Sequence, residues 1–158
     1  MTPRGPVDTT KDSAVRRAAE EGLFLDRASM HVGIRGPVYA ESDLEQDAGL
    51  GFRIVRAMDL EDIGIAGVIQ RIRERVGDAP LYLSIDIDVL DPAHAPGTGT
   101  PEAGGLTSRE LLGILRGLAG LNLVGADVVE VSPAYDHAGW RRPLSPCGPL
   151  AGWSWSWT

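Results

Sequence analysis

Two carboxylates two residues apart, Asp86 and Asp88, lie near the end of the run LYLSIDIDVL, in which they are the only charges. On a strand, side chains two apart share a face, so this spacing puts both acids together, with Ile85 and Ile87 on the other side. Two like charges that close repel unless a cation sits between them or one of them holds a proton. Hard oxygen donors suit Mn²⁺, Mg²⁺ or Ca²⁺, and a mixed His/Asp set leans toward the transition metals. The same pair also suits a plainer role, as strand-end acids that cap helix N-termini or face water. A third acid, Glu130, ends a second apolar run, LNLVGADVVEV. The stretch after Asp91-Pro92 is a loop rich in Gly, Pro and Thr. A buried strand ending in acids and followed by a shaped loop is where open α/β sheets place their ligands.

The three histidines of the chain add little to this set. His31 opens a short apolar segment and is expected to be satisfied in the core. His94 lies in the loop within reach of the two aspartates and is read as a loop residue rather than a ligand. His137 follows the last apolar run and is expected at the surface or behind the site. Cys147 has no His or basic strand–helix setting beside it, so its thiol is read as inert.

The elements that must position the acids follow from hydropathy patterning. Residues 1–13 are polar, punctuated by Pro and Gly, and read as poorly ordered. Ser13 to Leu25 has helical spacing at Val15, Ala18 and Ala19, with Gly22 as a stop signal. Met30 to Ile34 reads as a short buried strand, and the acidic segment Tyr39 to Leu50 as a surface turn or short helix. Phe52 to Ala57 alternates as a strand does. Asp59 is placed to cap a helix whose stripe is Ile63, Ile65, Val68, Ile69, Ile72 and Val76. Gly77 to Pro80 ends that helix and the Asp86 strand begins. Thr107-Ser108-Arg109-Glu110 matches a capping box ahead of a helix that buries Leu111, Leu112, Ile114, Leu115 and Leu118. Leu121 to Val131 is the final strand.

Strands alternating with helices in this order imply parallel pairing and an α/β fold. From Gly139 onward the Pro-rich, Trp-alternating tail GWRRPLSPCGPLAGWSWSWT cannot make a covering helix. It is read as foreign to the domain that precedes it.

At 158 residues the chain is long enough for one domain with a sizeable core. A net charge of −7 disfavours nucleic acid or an anionic membrane as partner. No apolar run is long enough to span a bilayer, and the N-terminus lacks an apolar signal core. The single cysteine suits a reducing, cytoplasmic setting.

The whole stretch SIDIDVLDPAHAPGTGTPEAGG resembles the second metal-binding signature of the arginase/agmatinase (ureohydrolase) family. That signature is S-x-D-x-D-x-x-D-P followed by P-G-T-G-T-P-E. RRAAEEGL, HVGIRGPVY and GADVVEVSPAYDHA extend the resemblance over about residues 14–138. It implies an arginase-like, partial three-layer α/β/α fold with a mainly parallel sheet. It also implies a Mn²⁺-dependent amidinohydrolase that splits a guanidino compound, such as agmatine or 4-guanidinobutanoate, into urea and an amine, and a homo-oligomer. By position, Asp86 and Asp88 match two metal ligands of a binuclear site, and Glu130 matches the acid that receives the guanidinium. A carboxylate is suited to that role because it accepts two parallel N–H bonds from a planar guanidinium. The family's other four metal ligands lie in G-G-x-H and D-A-H-x-D segments, which do not occur in this chain. The chain is therefore expected to carry the C-terminal portion of the fold, with part of the metal site, and to be inactive alone or to survive as an interaction remnant. LSIDIDVL also resembles the D-x-D strand end of haloacid-dehalogenase-type, Mg²⁺-dependent phosphatases. Those need a later Lys, and no Lys follows Asp88.

Overall fold

The computed structural model describes residues 14–36 and 42–136. His137, Cys147 and the Trp-rich tail lie outside those residues, as does the N-terminal segment 1–13. The order is α1 (Ala14–Glu20), β1 (Met30–Ile34), α2 (Ser42–Gly49), β2 (Arg53–Arg56), α3 (Leu60–Val76), β3 (Leu81–Asp86), α4 (Ser108–Gly117) and β4 (Leu123–Val129). Single 3₁₀ turns follow β2, β3 and β4. The α/β class is the one the patterning implied. The strands pair in parallel, β1 with β2 and β3 with β4, as two separate two-stranded sheets.

Several elements stop short of the sequence expectation. α1 ends at Glu20, and the chain turns through Gly22 at φ 70°, so the apolar run Leu23 to Leu25 is not helical and lies exposed. Asp59 does not cap α3. Its carboxylate instead accepts from the Arg56 amide at 2.9 Å and pairs with the Arg56 guanidinium, closing the 3₁₀ turn that precedes the helix. α3 is kinked at Gly64, whose φ of 62° and ψ of 170° no continuous helix allows.

Beyond the kink the apolar stripe performs as its period requires. Val68 is fully buried and Ile72 nearly so, and they form one core with Ile114 of α4, with Leu118 just past its end, and with Leu90 and Leu106 at the base of the loop after β3. Met30 and Val32 of β1 and Leu83 of β3 pack against this cluster from the strand side. α4 begins as expected. Thr107 Oγ1 accepts from the Glu110 amide, and Glu110 Oε2 accepts from the Thr107 amide at 2.8 Å. Leu112 is a correction: it is 47% exposed, because the face of α4 toward α3 is the one carrying Leu111, Ile114 and Leu118. Val124 and Val128 of β4 are also exposed, so this strand is not the buried one that its composition suggests.

Candidate functional site

β3 ends at Asp86, two residues short of the Asp88 that alternation along LSIDIDVL would include. Asp86 is still extended, at φ −76° and ψ 121°, but Ile87 to Val89 turn into a 3₁₀ helix. Asp88 therefore does not share a strand face with Asp86, and the period-two reading of the pair is corrected. The turn itself keeps the acids together, since Asp86 Oδ1 accepts from the Asp88 amide at 3.1 Å. The cause is local: a carboxylate two residues back is a ready acceptor for an amide that leaves the ladder.

The Asp88 carboxylate is held from across the loop, where Thr100 Oγ1 donates to its Oδ2 at 2.7 Å. Glu130 comes from the neighbouring strand. Asp86 pairs in register with Val129, so Glu130 is the first residue past the ladder, at a φ of 58°. A non-glycine residue in the left-handed region carries strain of about 1–3 kcal/mol, and such residues cluster at functional sites.

The electrostatics follow from this crowding. The Asp86 carboxyl is pushed up to about 6 from 3.8. Partial desolvation at the strand end is the largest cause, the nearby charges of Asp88 and Glu130 add to it, and the bond from the Asp88 amide opposes it. Among the described residues, no basic side chain pairs with any of the three acids.

The folded chain holds this proton more tightly than the unfolded chain. Asp86 therefore weakens the fold progressively as pH rises from 3.8 to about 6, and the penalty is complete above that. Asp86→Asn is expected to raise the thermal midpoint by about 2 °C near neutral pH and to leave it unchanged near pH 3.5. Circular dichroism melts at both pH values check this. A gain of equal size at both would remove acid crowding as its cause.

Asp91 is structural. Its carboxylate accepts from the amides of Ala93 at 2.9 Å and Gly104 at 3.0 Å, which hold it below the usual carboxylate range. His94 has its Nδ1 3.3 Å from Ser108 Oγ. His31 stacks on Phe52 with ring centroids 4.6 Å apart, and burial lowers its pKa against the opposing charge of Asp47. His31 is thus half-buried beside Asp47 rather than part of the core, and among the described residues neither histidine joins a group arranged to hold a metal. Thr100 and Arg35 were not foreseen as site residues. Arg35 donates to the main-chain carbonyls of Asp88 and Leu90. Nothing in local spacing marks either, because their partners lie 12 and 53 or more residues away.

The donor chemistry of the three acids suits a hard divalent cation, but the number of donors falls short. Among the described residues no group of three His, Cys, Asp or Glu side chains is arranged to hold a metal.

The sequence model of the arginase family matches residues 4–142. The chain belongs to the arginase family. A putative agmatinase (agmatinase 3) of Schizosaccharomyces pombe is 57% identical over 121 residues, covering 77% of this chain and 30% of the relative. A guanidinopropionase of Pseudomonas aeruginosa is 47% identical over 130 residues, covering 82% of this chain and 41% of the relative. Among solved structures, proclavaminate amidinohydrolase from Streptomyces clavuligerus superposes with a TM-score of 0.73 at 48% identity, over 79% of this chain and 42% of that one. This arginase-family chain thus spans less than half the length of these relatives. Membership replaces the phosphatase alternative, and it agrees with the arginase-like fold expected from the signature loop.

Proposed function

We propose that this chain carries the carboxylate part of an amidinohydrolase site, one that hydrolyses a linear guanidino compound to urea and an amine. The observation that supports it most is the meeting of Asp86, Asp88 and Glu130 at the ends of two adjacent parallel strands, where, among the described residues, no basic side chain pairs with their carboxylates. A cluster of uncompensated acids is a receptor for cations, and a guanidinium is a planar cation with paired N–H donors. Agmatine and 4-guanidinobutanoate are the substrate class that fits, in keeping with the names of the relatives.

Within this reading Glu130 binds and orients the guanidinium. Its left-handed backbone turns the residue out of the β4 ladder, at a position one past the residue paired with Asp86. Asp86 and Asp88 are the side chains that would bind Mn²⁺, with Thr100 holding one oxygen of Asp88. Because their donor set is short, no catalytic step is assigned to a metal in this chain alone. A second reading, a catalytically inactive interaction remnant, draws on that same shortage.

The test is a Mn²⁺ titration followed by electron paramagnetic resonance, beside a urea-release assay with agmatine and with 4-guanidinobutanoate. Weak Mn²⁺ binding is expected, lost in the Asp86→Asn/Asp88→Asn double variant, together with no urea release at an enzymatic rate. Rapid urea release would establish a complete site, whereas wild-type Mn²⁺ binding that survives in the double variant would remove these acids from the metal role.

A further inference from the structure

The end of β1 and the two residues after it read Gly33-Ile34-Arg35-Gly36, and the two glycines and the arginine meet the loop that carries Asp88. Gly33 has a φ of 87°, and a Cβ there would lie 2.5 Å from Val89 Cγ2. The register of β1 on β2 slips at this point, between Val32 and Ile34. Gly36, at φ 86°, backs onto the Glu102 side chain, which a Cβ would approach to 3.3 Å. Between the two glycines, Arg35 reaches across the loop. One terminal nitrogen donates to the carbonyls of Asp88 at 2.5 Å, Leu90 at 3.0 Å and Glu102 at 2.7 Å, and Nε donates to Glu102 at 3.2 Å. Gly105 keeps the approach open, since a Cβ there would lie 2.8 Å from the same guanidinium nitrogen.

These contacts join both strands of the loop. Asp88 and Leu90 lie on its outgoing limb and Glu102 on its return limb. The base is closed independently, by the Asp91 amide on the Leu106 carbonyl and the Leu106 amide on the Val89 carbonyl, both at 2.9 Å. Closing the base therefore does not need Arg35. What Arg35 adds is a fixed orientation for the peptide that follows Asp88, while Thr100 fixes the carboxylate. A rigid fork of N–H donors can serve several carbonyls at once, and a lysine ammonium on its flexible stem does this poorly.

The geometry points to Arg35 as a positioning residue for Asp88, holding the main chain of the loop so that the carboxylate stands against Thr100 and beside Asp86. This rests on reading Asp88 as a site acid, but its test needs neither metal nor turnover. Two signals are read in the full chain: amide hydrogen exchange across residues 88–106, and the ¹³C carboxyl resonance of Asp88 by NMR. Thr100→Val supplies the shift of an Asp88 that has lost its hydroxyl partner.

In Arg35→Met, loop exchange is expected to rise about tenfold or more, with α3 and α4 amides unchanged, and the Asp88 resonance to move to the Thr100→Val position. Arg35→Lys, which keeps the cation but gathers its donors on one nitrogen at the end of a flexible stem, is expected to fall between and serves alone if Arg35→Met does not fold. A wild-type Asp88 resonance in the variant that folds overturns the proposal. So does faster exchange spread evenly through α3 and α4, which would make Arg35 a general stabiliser. Failure of Mn²⁺ or guanidinium binding in the wild-type chain bears on the proposed function and leaves both signals readable.

Discussion

Titrated with agmatine, the Glu130→Gln chain is expected to bind about ten- to a hundredfold more weakly than wild type. Hydrogen bonds to charged groups contribute about 1.5–3 kcal/mol each, and the amide of glutamine keeps the shape of the side chain while removing the charge that the guanidinium faces. Isothermal titration or ligand-observed NMR measures it. A companion variant separates binding from stability. At a φ of 58°, Glu130 occupies a backbone conformation that glycine adopts without strain. Glu130→Gly is therefore expected to lose agmatine binding while its thermal midpoint holds or rises. A chain that binds agmatine as well with Gln at 130 as with Glu would remove this residue from substrate recognition. Equal losses of stability in both variants would mark Glu130 as a structural acid.

The second large effect is on the fold. Ile114 is 5% exposed at the centre of the α3–α4 contact, and truncating it leaves a cavity between Val68, Ile72 and Leu118. Ile114→Ala is expected to cost about 2–5 kcal/mol in urea unfolding, a large share of the stability of an ordinary domain. Leu112, two residues earlier on the same helix, is 47% exposed, and Leu112→Ala is expected to cost under about 0.5 kcal/mol. The contrast matters more than either value. Equal costs at the two positions would mean that α4 packs with a different face from the one described.

The Leu112 and Ile114 pair also shows how far periodicity reaches. Five apolar residues in eight positions identify a helix and an apolar side. They do not say which flank of that side touches a neighbour, because that depends on where α3 lies. The capping box was fully legible, since Thr107 and Glu110 are three residues apart and satisfy each other. Asp59 had the right type and position for a cap, yet Arg56 took its carboxylate. Gly64 looked like one weak position in a long helix and proved to be a kink.

The site divides in the same way. Sequence alone determined that this is an α/β chain of parallel strands and that its signature loop resembles the arginase family, and it singled out Asp86, Asp88 and Glu130 as the candidates for chemistry. Those conclusions rest on periodicity, on residue type and on a contiguous motif, all properties of near neighbours in the chain. Tertiary structure alone decided that Asp88 sits in a turn rather than on β3, that Glu130 turns out of the ladder with a left-handed backbone, and that Thr100 and Arg35 hold Asp88 from 12 and 53 residues away. A hydrogen bond across such a separation has no local pattern to announce it. It exists because packing around Val68, Ile114 and Leu106 brings the end of β1 against the loop, and only then do an arginine and three carbonyls find each other.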